Sequence, residues 1–163
     1  LEAIDILKVL QNETDAPIDL MERSLLLAGE LIELSGKVGK GKGTETAKEI
    51  LKSGQAYKKF IAICKAQGRF SNPVLALYKI EIKAEKSGVL QRIDNRKIAK
   101  LAKLSGAPKS KSAGILLNIH LGQKIEKDQL LYTIYAESKG ELNYALEYKN
   151  YHNNILTITQ KHI

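Results

Sequence analysis

Cysteine, tryptophan and methionine are nearly missing from this sequence, and each shortage closes off a chemistry. The one cysteine is Cys64, in FIAICKAQG. No internal disulfide and no cysteine-based metal cage can form from it, which predicts a reducing, cytoplasmic setting. Its helical surroundings, with none of the histidines near it in sequence, read as a small buried hydrophobe rather than a catalytic thiol. Tryptophan is absent and aromatics make up 6% of the chain, and no Phe or Tyr pair is spaced as a platform for stacking bases. No apolar run nears the roughly 18 residues of a membrane span, so a soluble protein without a membrane partner is expected. The opening residues LEAIDILKVL are apolar and periodic, with no charged region ahead of a cleavage site. A signal peptide is therefore not expected, and the start reads as a cut through a longer chain.

Positive charge is present in excess: 26 Lys and Arg against 18 Asp and Glu, a net +8. That balance favours an anionic partner. The lysines are nevertheless spread over helices, as at Lys97, Lys100 and Lys103, and over turns, usually beside apolar positions. With no stacking platform, a nucleic-acid partner is not expected.

Periodicity gives the organisation. Leu1 to Leu10 carries a broad apolar helix face, and the polar run Gln11 to Asp15 ends it. Pro17 sits where the first turn of a helix tolerates proline. The stretch Ile18 to Leu34 is apolar on more than one side, through Leu20, Met21, Leu25, Leu27, Ala28, Leu31, Ile32 and Leu34. It is expected to be buried, with Gly36 closing it. Thr44 is placed as the N-cap of a helix Glu45 to Lys52. A further helix spans Gln55 to Gln67, with Tyr57, Phe60, Ile61 and Cys64 inward.

Past RFSNP the period changes from helical to alternating. Strands are predicted over Leu77 to Ala84, Gly88 to Ile93, Ser112 to Leu121, Leu130 to Ala136 and Ile155 to Thr159. Asp94 caps a helix Asn95 to Leu104, whose Ile98, Ala99, Leu101, Ala102 and Leu104 form the inward face, and a last helix occupies Gly140 to Tyr151. The organisation is α+β, with a helical segment of residues 1–68 and an α+β domain of residues 71–163.

Three stretches invite a chemical reading. In GKVGKGKGTETAKE, the residues Gly36, Gly41 and Lys42 match the spacing of a phosphate-cradling GxxxxGK[ST] loop. Gly43, however, stands where the magnesium-holding hydroxyl belongs, and a helix rather than a strand precedes it. A flexible helix connection is the plainer reading. In LLNIHLGQKIEKDQLLYTIYAES, Lys124 and Lys127 lie within the turn Gly122 to Gln129, which is similar to the structural turn that follows the cofactor hairpin of biotinyl and lipoyl carriers. The hairpin methionine or aspartate beside the modified lysine is missing, Met21 being the only methionine. His120 falls in an alternating strand, His152 and His162 near the end, and none has metal-ligand spacing with carboxylates. Glu45 and Glu49 lie one helical turn apart, as a solvated face does. The residues alone describe a scaffold.

Taken together, LEAIDILKVLQN, APIDLMERSLLLAGELIEL, AKEILKSGQAYKKFIAICKAQG, SGVLQRIDNRKIAKLAKLSGAP, AGILLNIHLGQKIEKDQLLYTIYAES and GELNYALEY resemble, in order and spacing, the C-terminal third of the thymidine phosphorylase family. The likeness is to the long branch that includes archaeal AMP phosphorylase, and it covers nearly all of the chain. It implies a C-terminal domain of the α/β-hammerhead, barrel-sandwich-like kind within an oligomeric pentosyltransferase. In that family phosphate, the co-substrate, attacks the anomeric carbon of a nucleoside and releases the base. The family's phosphate-binding Lys-Ser and Gly-rich loops lie upstream of the position of Leu1, so no catalytic or substrate-binding residue is expected here. A glutamate that serves a potassium site in bacterial members corresponds to Asp5, one methylene shorter. The alternative is a free-standing barrel-sandwich module, either a carrier of biotin or lipoate or a basic nucleic-acid binder.

Overall fold

A computed structural model describes residues 1–159; the expected His162 lies outside them. The chain divides into two compact units, Glu2–Pro73 and the residues from Val74 onward, the latter grouped with Leu1. No helix among the described residues is long and apolar enough to cross a membrane.

The first unit holds α1 (Glu2–Leu10), α2 (Ile18–Leu34), α3 (Gly43–Lys52) and α4 (Gln55–Ala66). Helix α1 buries Leu7 and Val9. Asn12 then turns the chain at φ 56°, a conformation asparagine tolerates better than most side chains. Its Nδ2 donates to the Leu51 carbonyl at 3.0 Å, tying the turn to the end of α3. Along α4 the expected inward residues Tyr57, Phe60, Ile61 and Cys64 form its half-buried side, and the helix has no fully buried residue. Cys64 is thus half-buried rather than buried.

Two further expectations for this unit fail for physical reasons. Only Gly29 of α2 is buried. Leu27, Leu31 and Leu34, one stripe at i, i+4 and i+7, are 58%, 66% and 82% exposed. The helix packs by one flank, and the described residues of its unit supply no second layer for the stripe. Helix α3 starts at Gly43, not Glu45, so Thr44 lies inside the first turn instead of capping it. Its backbone and hydroxyl lie against Gly29, where a Cβ on the glycine would come within 2.6 Å of the Thr44 nitrogen.

The second unit runs β1 (Tyr78–Lys83), β2 (Gly88–Ile93), α5 (Asn95–Leu104), β3 (Gly114–Leu117), β4 (Lys124–Ile125), β5 (Leu130–Ala136), α6 (Lys139–Tyr151) and β6 (Leu156–Thr159). Its strands make two three-stranded antiparallel sheets, ordered β1-β5-β3 and β4-β2-β6. No closed barrel forms among the described residues. Strand β1 alternates as its sequence does, with Ile80 and Ile82 half-buried and Lys79, Glu81 and Lys83 exposed. Ile134 of the central β5 lies opposite Ile80 on one side and Ile115 on the other. Both sheets and both helices share one core, in which Leu90, Leu101, Ile125, Ile134 and Ala145 meet.

Asp94 caps α5 as expected, its carboxylate accepting from the Lys97 N–H at 3.1 Å. Ala99, expected inward, is exposed, because it stands off the side that carries Leu101. The strand predicted from Ser112 to Leu121 is confined to Gly114–Leu117. After it the chain leaves the first sheet for the second, burying Ile119 in passing. His120 consequently sits in an exposed loop, its Nδ1 bonded to the Leu121 carbonyl at 3.1 Å.

Candidate functional site

The Gly-Lys stretch between α2 and α3 is where a phosphate site would have to be. A helix N-terminus offers unpaired N–H groups and a positive dipole end to an anion. At α3 that place is taken. The Glu33 side chain, reaching from the last turn of α2, accepts from the Gly43 N–H at 2.8 Å. The N–H groups of Gly41 and then Gly43, with Lys40 nearby, hold its carboxyl below the usual carboxylate range. Gly43 also has no room for the hydroxyl side chain of a phosphate loop, since a Cβ there would stand 2.1 Å from the Gly29 carbonyl oxygen. The loop is a helix junction with its own built-in anion.

This arrangement fixes a pH dependence. Glu33 ionises more readily in the folded state than its ordinary value of 4.5, so its contribution is present above that value and is lost as pH falls through the lower folded one. Glu33→Gln should therefore lower the melting temperature at pH 7, and the gap to the unaltered chain should close towards pH 3. Melting curves followed by circular dichroism at both pH values check this; a gap that is the same at both would show that the charge is not what matters.

Neither carrier candidate stands at a hairpin tip. Lys124 lies in β4, which pairs with β2, its residue partner being Val89. Strands β4 and β5 belong to different sheets, so the turn between them is a crossover rather than a hairpin. Lys127 sits in that turn, its N–H donating to Ser87 Oγ at 2.9 Å, and Asp128 at φ 67° completes it by donating to the Ala84 carbonyl.

Asp5 lies half-buried in the first turn of α1. The neighbouring Lys8 is engaged with Asp15 at 2.5 Å. No group of three His, Cys, Asp or Glu side chains among the described residues, Asp5 included, could hold a metal ion. Asp5 belongs to no such group; the potassium role that the resemblance implies also draws on backbone carbonyls from elsewhere in the longer protein.

Two concave places stand out among the described residues. An apolar cleft of about 210 Å³ lies between the helices of the first unit, lined by residues such as Val9, Met21, Leu25, Ile50 and Leu51. It lacks the convergent polar groups a chemical site needs. A wider cleft of about 510 Å³ lies in the second unit between the start of β5 and the end of α6, with Lys83, Lys86, Lys149 and His152 on its walls. His152 is occupied: its Nδ1 bonds the Tyr148 carbonyl at 2.9 Å and its ring stacks on Tyr148 at 4.1 Å, finishing α6. Burial pushes the Tyr132 phenol up to about 12, so it stays protonated. Among the described residues that line the two clefts, no nucleophile is paired with a base.

The family described as pyrimidine nucleoside phosphorylase C-terminal domain matches residues 89–155. A relative from Legionella pneumophila (strain Corby), named "Putative thymidine phosphorylase", is 54% identical over 147 residues, 90% of this chain and 28% of its own length. One of the same name from Hahella chejuensis is 48% identical over 161 residues, 99% of this chain and 32% of the relative. Another so named, from Chelativorans sp., is 48% identical over 148 residues, 91% and 29%. The chain therefore spans about a third or less of the length of these relatives.

Proposed function

Because residues 89–155 match the family described as pyrimidine nucleoside phosphorylase C-terminal domain, we propose that this chain is the non-catalytic C-terminal part of a nucleoside phosphorylase. In the reaction assigned to the whole protein, a phosphate oxygen bonds to the anomeric carbon of thymidine or a related nucleoside. The carbon–nitrogen bond breaks with its electron pair leaving on the base, which takes up a proton, and a sugar 1-phosphate remains. Such a step needs donors and charges converging on phosphate and on a cationic sugar. The observation that carries the reading is Glu33 seated on the only phosphate-loop-like stretch, beside relatives about three times as long. Phosphate and base recognition accordingly belong to sequence outside this chain.

The part assigned to this chain is to complete the fold and the assembly of a homo-oligomeric enzyme in the cytoplasm. The bare stripe Leu27, Leu31 and Leu34 supports it, as an apolar helix face that other sequence of the same protein would cover. The two-sheet unit is assigned to the barrel-sandwich, hammerhead-type class on the crossover between its sheets. A carrier role is disfavoured by the placement of Lys124 and Lys127 off any hairpin tip. The test is base release by a protein of the relatives' length. Thymine, or the base of a related nucleoside, should appear in proportion to added phosphate; release that ignores phosphate would mean hydrolysis and sink the reading.

A further inference from the structure

We propose that the outer face of α5, continued by the loop after it, binds the phosphate backbone of a nucleic acid. Between Asp94 and Glu126 the chain has no acidic residue, while Arg96, Lys97, Lys100, Lys103, Lys109 and Lys111 stand on α5 and that loop. The helix sorts them. Leu101 is fully buried, with Ile98 and Leu104 packed beside it. Arg96, Lys100 and Lys103, spaced by four and then three, fall on the opposite side and are exposed, as are Lys109 and Lys111. Lys97 alone is drawn aside, to Asp94 at 3.8 Å and to Asn154.

Among the described residues no carboxylate forms an ion pair with the other five; the ion pairs of this segment are Arg92 and Lys97 with Asp94, while Glu137 and Glu141 reach the loop only to accept from Ser112 and Ser110, so the uninterrupted stripe is Arg96, Lys100 and Lys103. Like charges one turn apart on a helix repel by a few tenths of a kcal/mol per pair, so the stripe costs the fold a little stability. The geometry is that of a comb. Arg96 to Lys103 covers about 10 Å along the axis at about 1.5 Å per residue, and a duplex strand offers a phosphate every ~3.4 Å. A line of exposed cations suits an extended polyanion better than a small anion, which needs a pocket. It suits nucleic acid better than a lipid surface, where apolar side chains accompany the cations and this stripe has only Ala99. Helix α5 has no aromatic residue, so base stacking plays no part and binding is blind to sequence. This reverses the expectation from sequence, which took Lys97, Lys100 and Lys103 as dispersed: on the folded helix Lys100 and Lys103 share one exposed side with Arg96. The inference is independent of the phosphorolysis reading.

The experiment is fluorescence anisotropy of a labelled 20-nucleotide single-stranded RNA of mixed sequence with the full chain, between about 20 and 200 mM salt. With four to five phosphates neutralised, log K against log salt should fall with a slope near −3, at about −0.7 per phosphate. The charge reversal R96E/K100E/K103E should weaken binding at least tenfold, and the neutral R96Q/K100Q/K103Q, which guards against misfolding, should do so in part. The reversal K58E/K59E/K65E on α4, equal in net charge, should leave it within about threefold. No binding at the lowest salt, equal weakening by both reversals, or binding to phosphatidylserine vesicles but not to RNA would each overturn the proposal.

Discussion

Leu101→Asp should leave the unit from Val74 onward unfolded at 25 °C. Leu101 has no exposed surface and belongs to the core that the sheets and helices of this unit share. Truncating a buried leucine removes about 2–5 kcal/mol, and an unpaired carboxylate in that place adds several more. A domain of this size has a net stability of about 5–15 kcal/mol to lose. The spectroscopic handle is built in, since Tyr57 is the one tyrosine in Glu2–Pro73 and the others lie beyond Val74. The near-ultraviolet tyrosine signal should collapse in the variant and persist in Leu101→Met, for which volume-conserving replacement costs under about 1.5 kcal/mol. A native near-ultraviolet spectrum for Leu101→Asp would show that the inward face of α5 has been misassigned.

Gly43→Ala should destabilise the helical unit by about 3 kcal/mol, near the upper end for overpacking. Its melting midpoint should drop by roughly 10 °C or more, at about 4–8 °C per kcal/mol for a domain this small. The sign makes this informative. In an ordinary helical position, glycine to alanine is favourable by up to about 1 kcal/mol. Here the new Cβ would stand 2.1 Å from the Gly29 carbonyl oxygen, so backbone rather than a flexible side chain must give way. Helices α2 and α3 would have to part, and the Glu33 contact to the Gly43 N–H with them. Calorimetry on the purified variant decides: an unchanged or raised midpoint would mean that the two helices are not held at glycine contact.

What the sequence made legible was local. Asp94 stands three residues before the N–H it accepts, and β1 and β2 alternate or run apolar in ways that only a strand satisfies. The start of α6, expected at Gly140, lies one residue earlier. Ser138 accepts from the Glu141 N–H at 3.2 Å, and the two side chains bond at 3.1 Å, a Ser-x-x-Glu box that moves the helix back to Lys139. What escaped was set by partners distant along the chain. Thr44 has the chemistry of a cap, yet the junction uses Glu33, ten residues upstream, and puts Thr44 against Gly29. The end of β3 depends on where the chain changes sheets, which no window around His120 records. The width of the apolar face of α2 was read correctly and its burial was not, because periodicity says which residues avoid water and cannot say whether a partner is at hand. The candidate phosphate loop was readable as defective from Gly43 alone, but its occupation by a carboxylate is a tertiary fact.

The division between scaffold and chemistry is the central claim, and base release from thymidine under saturating phosphate tests it most directly. The 163-residue chain should be measured at matched concentration beside a protein of the relatives' length. The account predicts phosphate-dependent base release by the longer protein and none by this chain. Turnover by the chain itself, abolished when Lys40 and Lys42 are replaced, would contradict it, showing that the loop guarded by Glu33 is a phosphate site after all.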